Sequence, residues 1–246
     1  MSTRVACVVL HYSERPEHDE LTYRAVETLN RALDFSLLTL PEVLVVDNGS
    51  AVPYKAEFGE DVLRLHSNIA LASAFNRGME RFPDAERILL VTNDVVFPRF
   101  TVHELLTAAS YEKVGIVAPM MDDAGAGVLF RSAPDPHKEV SLPEWEKFLI
   151  ETMPTGNFVR AEHVDNTVLC LTRSFLDEVG MFDEYFDTTG SWYANQDWCK
   201  RAWAAGYLVG YSPRAFIHHC RAGTRGDYQT EADAAGRSRF DTKWLS

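Results

Sequence analysis

No stretch of this 246-residue sequence approaches the roughly 18–20 uninterrupted apolar residues that cross a bilayer, so no helical membrane span is expected. Basic residues are in short supply: 24 Lys and Arg stand against 36 Asp and Glu, a net charge of -12. No basic block relieves that balance. A duplex nucleic-acid binder, which needs clustered cations against phosphates, is therefore not expected. A small anionic ligand is still permitted, because a local pocket can oppose the global charge. Cysteine is sparse as well. Cys7, Cys170, Cys199 and Cys220 lie far apart without a CxxC pair, and three fall in or beside apolar segments, as reduced buried thiols do. Their usage points to the cytoplasm, free or peripheral to the inner membrane surface. Met1 to Leu10 has no small-residue cleavage site, so Val5 to Leu10 reads as a strand and not a signal peptide. Repeats, low-complexity tracts and Pro/Ser linkers are also missing, which favours one domain.

What is there is the composition of a folded enzyme-sized chain: 46% hydrophobic and 24% charged residues exclude disorder and fibrous folds. Arg4 to His11 is a β-branched-rich run of the kind buried on both faces of a sheet. Leu21, Ala25, Leu29 and Leu33 then recur at helical spacing within Asp19 to Phe35. Further strands are expected at Glu42 to Asp47, Val62 to His66, Arg87 to Thr92 and Val114 to Pro119, with helices at Leu71 to Arg81 and Thr101 to Ser110. This alternation predicts an α/β fold with a mostly parallel central sheet flanked by helices. The second half is less regular. A long loop is expected over Met121 to Pro136, a strand over Val164 to Thr172, and helices over Ser174 to Val179 and Gln196 to Ala205. A last strand ends at Phe216 and Ile217, and a mobile stretch is expected over Arg221 to Arg239.

Ligands of open parallel sheets bind beyond the carboxyl ends of the strands. Polar clusters fall at three such ends: His11-Tyr12-Ser13, Asp47-Asn48-Gly49-Ser50 and Asn93-Asp94. Asp47 can accept hydrogen bonds from a base or ribose, or it can simply cap a turn with Asn48. Asp94 suits a hard divalent cation that also holds phosphates, with a turn cap ahead of Pro98 as the plainer alternative. His218 and His219 follow the last apolar strand, where one of them can bring a neutral nitrogen to the same cation. Their spacing to Cys199 and Cys220 matches no zinc pattern. Asp197 sits among aromatic residues, as a general base facing a sugar does, or it opens a helix whose dipole favours an acid.

Taken in order, these segments resemble glycosyltransferase family 2, inverting enzymes of the GT-A fold that use nucleotide-sugar donors. VACVVLHY and VLVVDNGS look like its opening strand and nucleoside-binding turn, and Asn68 to Gly78 keeps the register of its N-x-G-x-A-x-A-x-N-x-G stretch with Ala70 in place of the first Gly. Leu89 to Asp94 is similar to the strand leading to its metal motif, in a form found among rhamnosyltransferase-like members. Gly180 to Phe186 resembles G-x-F-D-E-x-F, and Asp197 to Arg201 its D-L-C-x-R helix start. His218-His219 through Gly223-Thr224 resembles its H-x-x-G-x-S/T loop, and Lys243-Trp244 its terminal K-W.

The resemblance implies transfer of a hexose or deoxyhexose from a UDP-, dTDP- or GDP-sugar to a hydroxyl of a glycan, a lipid-linked acceptor or another molecule, as in polysaccharide biosynthesis. It implies that His11, Tyr12, Glu14, Asp47, Asn48, Asn68, Asn76 and Asn93 surround the nucleotide sugar. Lys243 and Arg221 would meet the diphosphate, and Asp94 with His218 or His219 would hold Mn2+ or Mg2+. On the acceptor side it implies Trp192, Trp198 and Asp187 as contacts and Asp197 as the base, with Asp187 and Asp183 in reserve. Ala194 and Asn195 stand where many relatives have Glu-Asp, and Thr92-Asn93-Asp94 offers one acid where the metal motif often has two or three. Those thinned acids favour the alternative of a nucleotide-sugar or glycan-binding module without transfer. A nucleotidyltransferase would need a Gly-rich phosphate loop after the first strand, which His11 to Pro16 lacks.

Overall fold

The computed structural model describes residues 3–36, 38, 41–121, 141–187, 192–220 and 229–245. The chain opens with β1 (Val5–His11), α1 (Pro16–Phe35), β2 (Glu42–Asp47), β3 (Asp61–Arg64), α2 (Leu71–Met79), β4 (Arg87–Thr92), β5 (Val95–Val96), α3 (Thr101–Ala109) and β6 (Val114–Met121). It continues with α4 (Leu142–Thr152), β7 (Val159–Arg160), β8 (Val168–Thr172), α5 (Arg173–Val179), a 3-10 turn (Glu184–Phe186), α6 (Trp192–Ala204), β9 (Leu208–His219) and α7 (Gln229–Trp244). The strands form one sheet in the order β3-β2-β1-β4-β8-β6-β9-β5, with β7 also on β9. β3, β2, β1 and β4 are mutually parallel, as the alternating apolar runs and helices require. β8 then runs antiparallel between β4 and β6, while β6 and β9 are again parallel.

Strand alternation divides the core into two layers. Ala6, Val8 and Leu10 pack with α2 and with Trp145, Phe175 and Trp198 on one face. Val5, Cys7 and Val9 pack with Ala25, Leu29 and Leu33 of α1 and Leu105 of α3 on the other. Gly78 lies where α2 presses on the sheet, and an added Cβ would meet Val8 Cγ1 and Val46 Cγ2. Both are β-branched side chains fixed by the strands, so Gly78→Ala is expected to cost about 1–3 kcal/mol through overpacking despite its better helix propensity. A thermal melt measures this, and an unchanged or raised midpoint would show that the layer yields.

Several boundaries differ from expectation, for identifiable reasons. β8 starts at Val168 and not Val164, and Thr167 just before it still accepts from Thr92 N–H at 2.9 Å. α6 starts at Trp192, so the aromatic segment before Asp197 is helical and not a lead-in. α4 was not expected, yet Ser141-x-x-Glu144 forms a capping box, with Ser141 N–H donating to Glu144 Oε2 at 3.0 Å. Residues expected to be mobile up to Arg239 are largely α7, while 221–228 and the loop positions 122–136 lie outside the described residues. The cysteines are free thiols, and burial pushes those of Cys170 and Cys199 up to about 12.

Candidate functional site

The carboxyl ends of β1, β2, β4, β6 and β9 share one edge of the sheet, together with the first residues of the antiparallel β8. Asp47 ends β2, but its carboxylate is fully buried. Oδ1 accepts from Ser50 N–H at 2.9 Å, and Oδ2 accepts from Tyr54 N–H at 3.0 Å and Arg64 Nη1 at 2.5 Å. Burial alone would raise this carboxyl, and the Ser50, Tyr54 and Arg64 donors reverse that and hold it below the ordinary range. Asn48 is equally committed: Nδ2 donates to Asn68 Oδ1 and Ile69 O, and Oδ1 accepts from Ile69 N–H. Gly49 between them has φ +74, and its missing side chain lets the Ser67–Asn68 backbone close in.

His11 is also enclosed. Its Nδ1 lies 2.7 Å from Thr22 Oγ1, its Nε2 is 3.4 Å from Asp19 Oδ1, and its ring packs on Tyr54 at 4.9 Å. Burial holds the imidazole below its usual pKa against the pull of Asp47 and Asp19. Asn76 spends its amide on Phe182 O and Glu184 Oε1 and its Oδ1 on Phe182 N–H, tying α2 to the segment before the 3-10 turn. His11, Asp47, Asn48 and Asn76, expected as ligand contacts, are all buried; the polar atoms of Asp47, Asn48 and Asn76 are engaged within the edge, while His11 Nε2 has no hydrogen-bond partner among the described residues. Outward-facing groups here are Tyr12, whose hydroxyl donates to Glu14 Oε1 at 2.8 Å, Glu14 itself, Asn68 and Arg64. Arg64 was missed in the sequence. It clamps Asp47 and Ser50 O while 42% of its side chain stays exposed, and its position at the end of a strand was the available signal.

At the centre of the edge, Asp94 Oδ2 lies 3.1 Å from His219 Nε2, and Thr92 Oγ1 donates to Asp94 Oδ1 at 3.0 Å. Burial would raise the Asp94 carboxyl, but His219 and Thr92 hold it below the ordinary range. β5 brings the pair together: Val95 pairs with His219, Val96 with His218, and Cys220 N–H donates to Asp94 O at 2.8 Å. Successive residues of β9 face opposite ways, so His218 turns its ring edge-on to buried Trp145 at 6.2 Å. His219, not His218, therefore stands beside Asp94. Asn93 donates to Thr22 Oγ1 at 3.2 Å and fastens this end to α1. No group of three or more His, Cys, Asp or Glu side chains suited to a metal ion occurs among the described residues.

The side nearest α6 departs furthest from expectation. Asp197 is completely buried, with Oδ2 on Arg201 Nε at 2.8 Å and Oδ1 on Lys243 Nζ at 2.8 Å and Trp244 Nε1 at 2.9 Å. The residue expected as the base thus has three of its four lone-pair positions engaged and no exposed surface. Trp198 is core: its indole N–H donates to Gly180 O and its ring lies 4.0 Å from that of Phe182, so it lines no groove. Lys243, expected at the diphosphate, holds Asp183 at 2.7 Å and Asp197 at 2.8 Å. Arg221, Gly223 and Thr224 lie outside the described residues.

Trp192 is exposed, with its ring edge-on to His163 at 5.4 Å. Asp187 is half-buried at the end of the 3-10 turn. Its Oδ2 accepts from Ser73 Oγ in the first turn of α2, and its Oδ1 is enclosed with no partner among the described residues. Burial raises its carboxyl above the ordinary range, Glu184 adds to this, and Ser73 and Arg77 oppose it without reversing it. A partly enclosed carboxylate with a raised pKa and one unengaged oxygen has the attributes of a proton acceptor.

No family model and no curated protein matches the sequence. In three dimensions the chain is similar to the crystal structure of GalNAc-T7 with UDP, GalNAc and Mn2+, at a TM-score of 0.69 and 13% identity over 99% of this chain. It spans 48% of that protein, about half its length. At such identity the likeness establishes the fold, a mixed α/β architecture of the GT-A glycosyltransferase type with helices flanking a central sheet.

Proposed function

We propose that this GT-A chain moves a sugar from a nucleotide-sugar donor to an acceptor hydroxyl by direct displacement with inversion. The observation that carries the reading is the Asp94–His219 pair, held at the carboxyl edge between the Tyr12–Arg64 side and the Asp187–Trp192 side. One oxygen and one nitrogen donor fit a divalent cation, Mn2+ or Mg2+, whose other positions are left to diphosphate oxygens and water. Bound there, the cation would supply charge neutralisation to the departing nucleoside diphosphate. Tyr12, Glu14, Arg64 and Asn68 are the side chains available to the nucleoside, with Asn93 beside Asp94 toward the diphosphate. The crystal structure of GalNAc-T7 that this chain resembles contains UDP and Mn2+, which supports a nucleotide-sugar donor and a divalent cation in general.

The acceptor is a hydroxyl of a glycan, free or lipid-linked. Trp192 offers it an exposed aromatic face beside His163. Asp187 Oδ1 is enclosed in the free protein, so the entering acceptor must first uncover it; Oδ1 then takes the hydroxyl proton, the oxygen attacks the anomeric carbon, and the bond to the diphosphate breaks on the opposite face. Placement in the cytoplasm rests on the free thiols, three of them buried. No helix of the described residues is long and apolar enough to cross a membrane. A second reading, a nucleotide-sugar-binding module without transfer, is favoured by the presence of only two cation ligands among the described residues.

The test pairs thermal shift with nucleoside diphosphate release across UDP-, GDP- and dTDP-sugars, with and without Mn2+. One donor is expected to stabilise the protein by about 2.7 kcal/mol at a hundredfold excess over its Kd, only when Mn2+ is present. Asp94→Ala is expected to abolish that ligand-induced shift, whatever its effect on the free protein. An undiminished shift in Asp94→Ala would remove the cation from this position. A shift without diphosphate release would select the binding module.

A further inference from the structure

We propose that Lys243, on the C-terminal helix, is a positioning residue that sets Asp187 through the 3-10 turn. This rests on the reading of Asp187 as the proton acceptor. The path is short and made of direct contacts. Lys243 Nζ holds Asp183 Oδ2 at 2.7 Å, while Asp183 Oδ1 accepts from Tyr185 N–H at 2.9 Å and so caps the turn. The same ammonium stands 5.2 Å from the ring centroid of Phe186, the residue before Asp187. Within the turn, Phe186 N–H donates to Asp183 O and Asp187 N–H to Glu184 O, both at 3.0 Å. Displacing Asp183 therefore displaces the backbone that carries Asp187.

The clamp is itself anchored. Asp197 holds Lys243 from α6, Trp244 donates to the same carboxylate, and Phe240 packs 6.4 Å from Phe186. Arg201, the other cation on Asp197, also donates to Val179 O and Met181 O, which fixes the strand of chain leading into the turn. The α2 side fixes the carboxylate directly through Ser73. Asp187 is thus located by two independent supports, its oxygen from α2 and its backbone from α7.

The charged groups around Asp187 are Arg77 from α2 and Glu184 from its own turn. Beyond these lie Asp197 and Arg201 on α6, and Arg239 and Lys243 on α7, where Arg239 donates to Tyr185 O. Loosening the turn admits water to Asp187 and relieves the burial that raises its carboxyl, so its titration moves down toward the ordinary range.

The experiment compares wild type, Lys243→Ala, Lys243→Arg and the milder Asp183→Asn, which keeps the shape of the cap while removing its charge. Two readouts are taken: kcat and KM against pH, and the Asp187 carboxyl titration by 13C NMR with Asp187→Asn assigning the signal. Lys243→Ala is expected to lower kcat about 10–100-fold with donor KM unchanged, as misplacement of a reacting group by about 1 Å does. Its acid limb and the Asp187 titration are expected to move to lower pH together. Lys243→Arg is expected to recover most of the rate, and Asp183→Asn to reproduce the shift if Lys243→Ala fails to fold. A titration unmoved in both Lys243→Ala and Asp183→Asn overturns the proposal. So does a tenfold rise in donor KM at constant kcat, which would return Lys243 to the donor. A wild type that releases no diphosphate, but whose Asp187 titration moves on Lys243→Ala, supports the coupling and overturns the catalytic reading alone.

Discussion

Asp187→Asn is expected to lower transfer by about 10²–10⁴-fold, the range by which a positioned general base accelerates proton removal. It is expected to do so while leaving the protein as stable as before, or slightly more stable. The sign follows from the raised carboxyl. The folded state binds this proton more tightly than the unfolded chain, so ionised Asp187 works against folding at neutral pH. That cost is absent below the ordinary carboxylate pKa, grows as pH climbs through the raised value and is constant above it. Asn keeps the Ser73 contact and removes the buried charge. The same ionisation sets the activity profile, with the rate rising through an acid limb that lies above the ordinary carboxylate range. Diphosphate release against pH and a thermal melt at two pH values read both halves. Full activity would release Asp187 from its role, and a large fall in midpoint would make it a structural residue instead.

The second large effect is on stability. Asp197→Ala removes a fully buried carboxylate and leaves the Arg201 and Lys243 cations facing each other without it. Breaking a buried pair on one side costs about 3–5 kcal/mol. Lys243 is 31% exposed and water screens part of its share, so the lower end is expected. At roughly 2–4 °C per kcal/mol for a chain of this size, the midpoint should fall by about 6–12 °C. Donor-induced stabilisation in the surviving folded protein should persist, since the Tyr12–Arg64 side and Asp94 are untouched. A catalytic Asp197 would behave in the opposite way, with little loss of stability and a large loss of rate, so one melt and one assay separate the two.

The central sheet was legible because its strands are β-branched runs broken by turn residues, a pattern that depends only on neighbours in sequence. The direction of a strand-end carboxylate is another kind of fact. Asp47 and Asp94 look alike in sequence, each closing a buried strand. Asp47 is absorbed by Tyr54 and by Arg64 of the next strand, whereas Asp94 meets His219 from the far end of the chain. Asp197 and Asp187 differ in their surroundings for the same reason. Beyond Arg201 of its own helix, the partners that engage Asp197 are Lys243 and Trp244, on a largely polar helix that shows no apolar stripe. The choice between His218 and His219 was available from strand alternation once the length of β9 was known, but Ser212 and Pro213 hid its first half. Ser73 carries no signal at all, since a serine in a helix becomes significant only through what packs opposite it.

The pairing of β5 with β9 has a consequence for how the protein is made. Asp94 and His219 are separated by 125 positions, and β9 must be in place between β6 and β5 before the imidazole reaches the carboxylate. Contacts of such long range close late, because the entropy of joining distant chain segments is spent before the contact returns anything. A chain that has folded only through β8 brings one of the two proposed cation donors, Asp94, to the edge. On the proposed reading, affinity for the divalent ion is therefore acquired only when β9 pairs with β5, and the ion favours the state in which that pairing is complete.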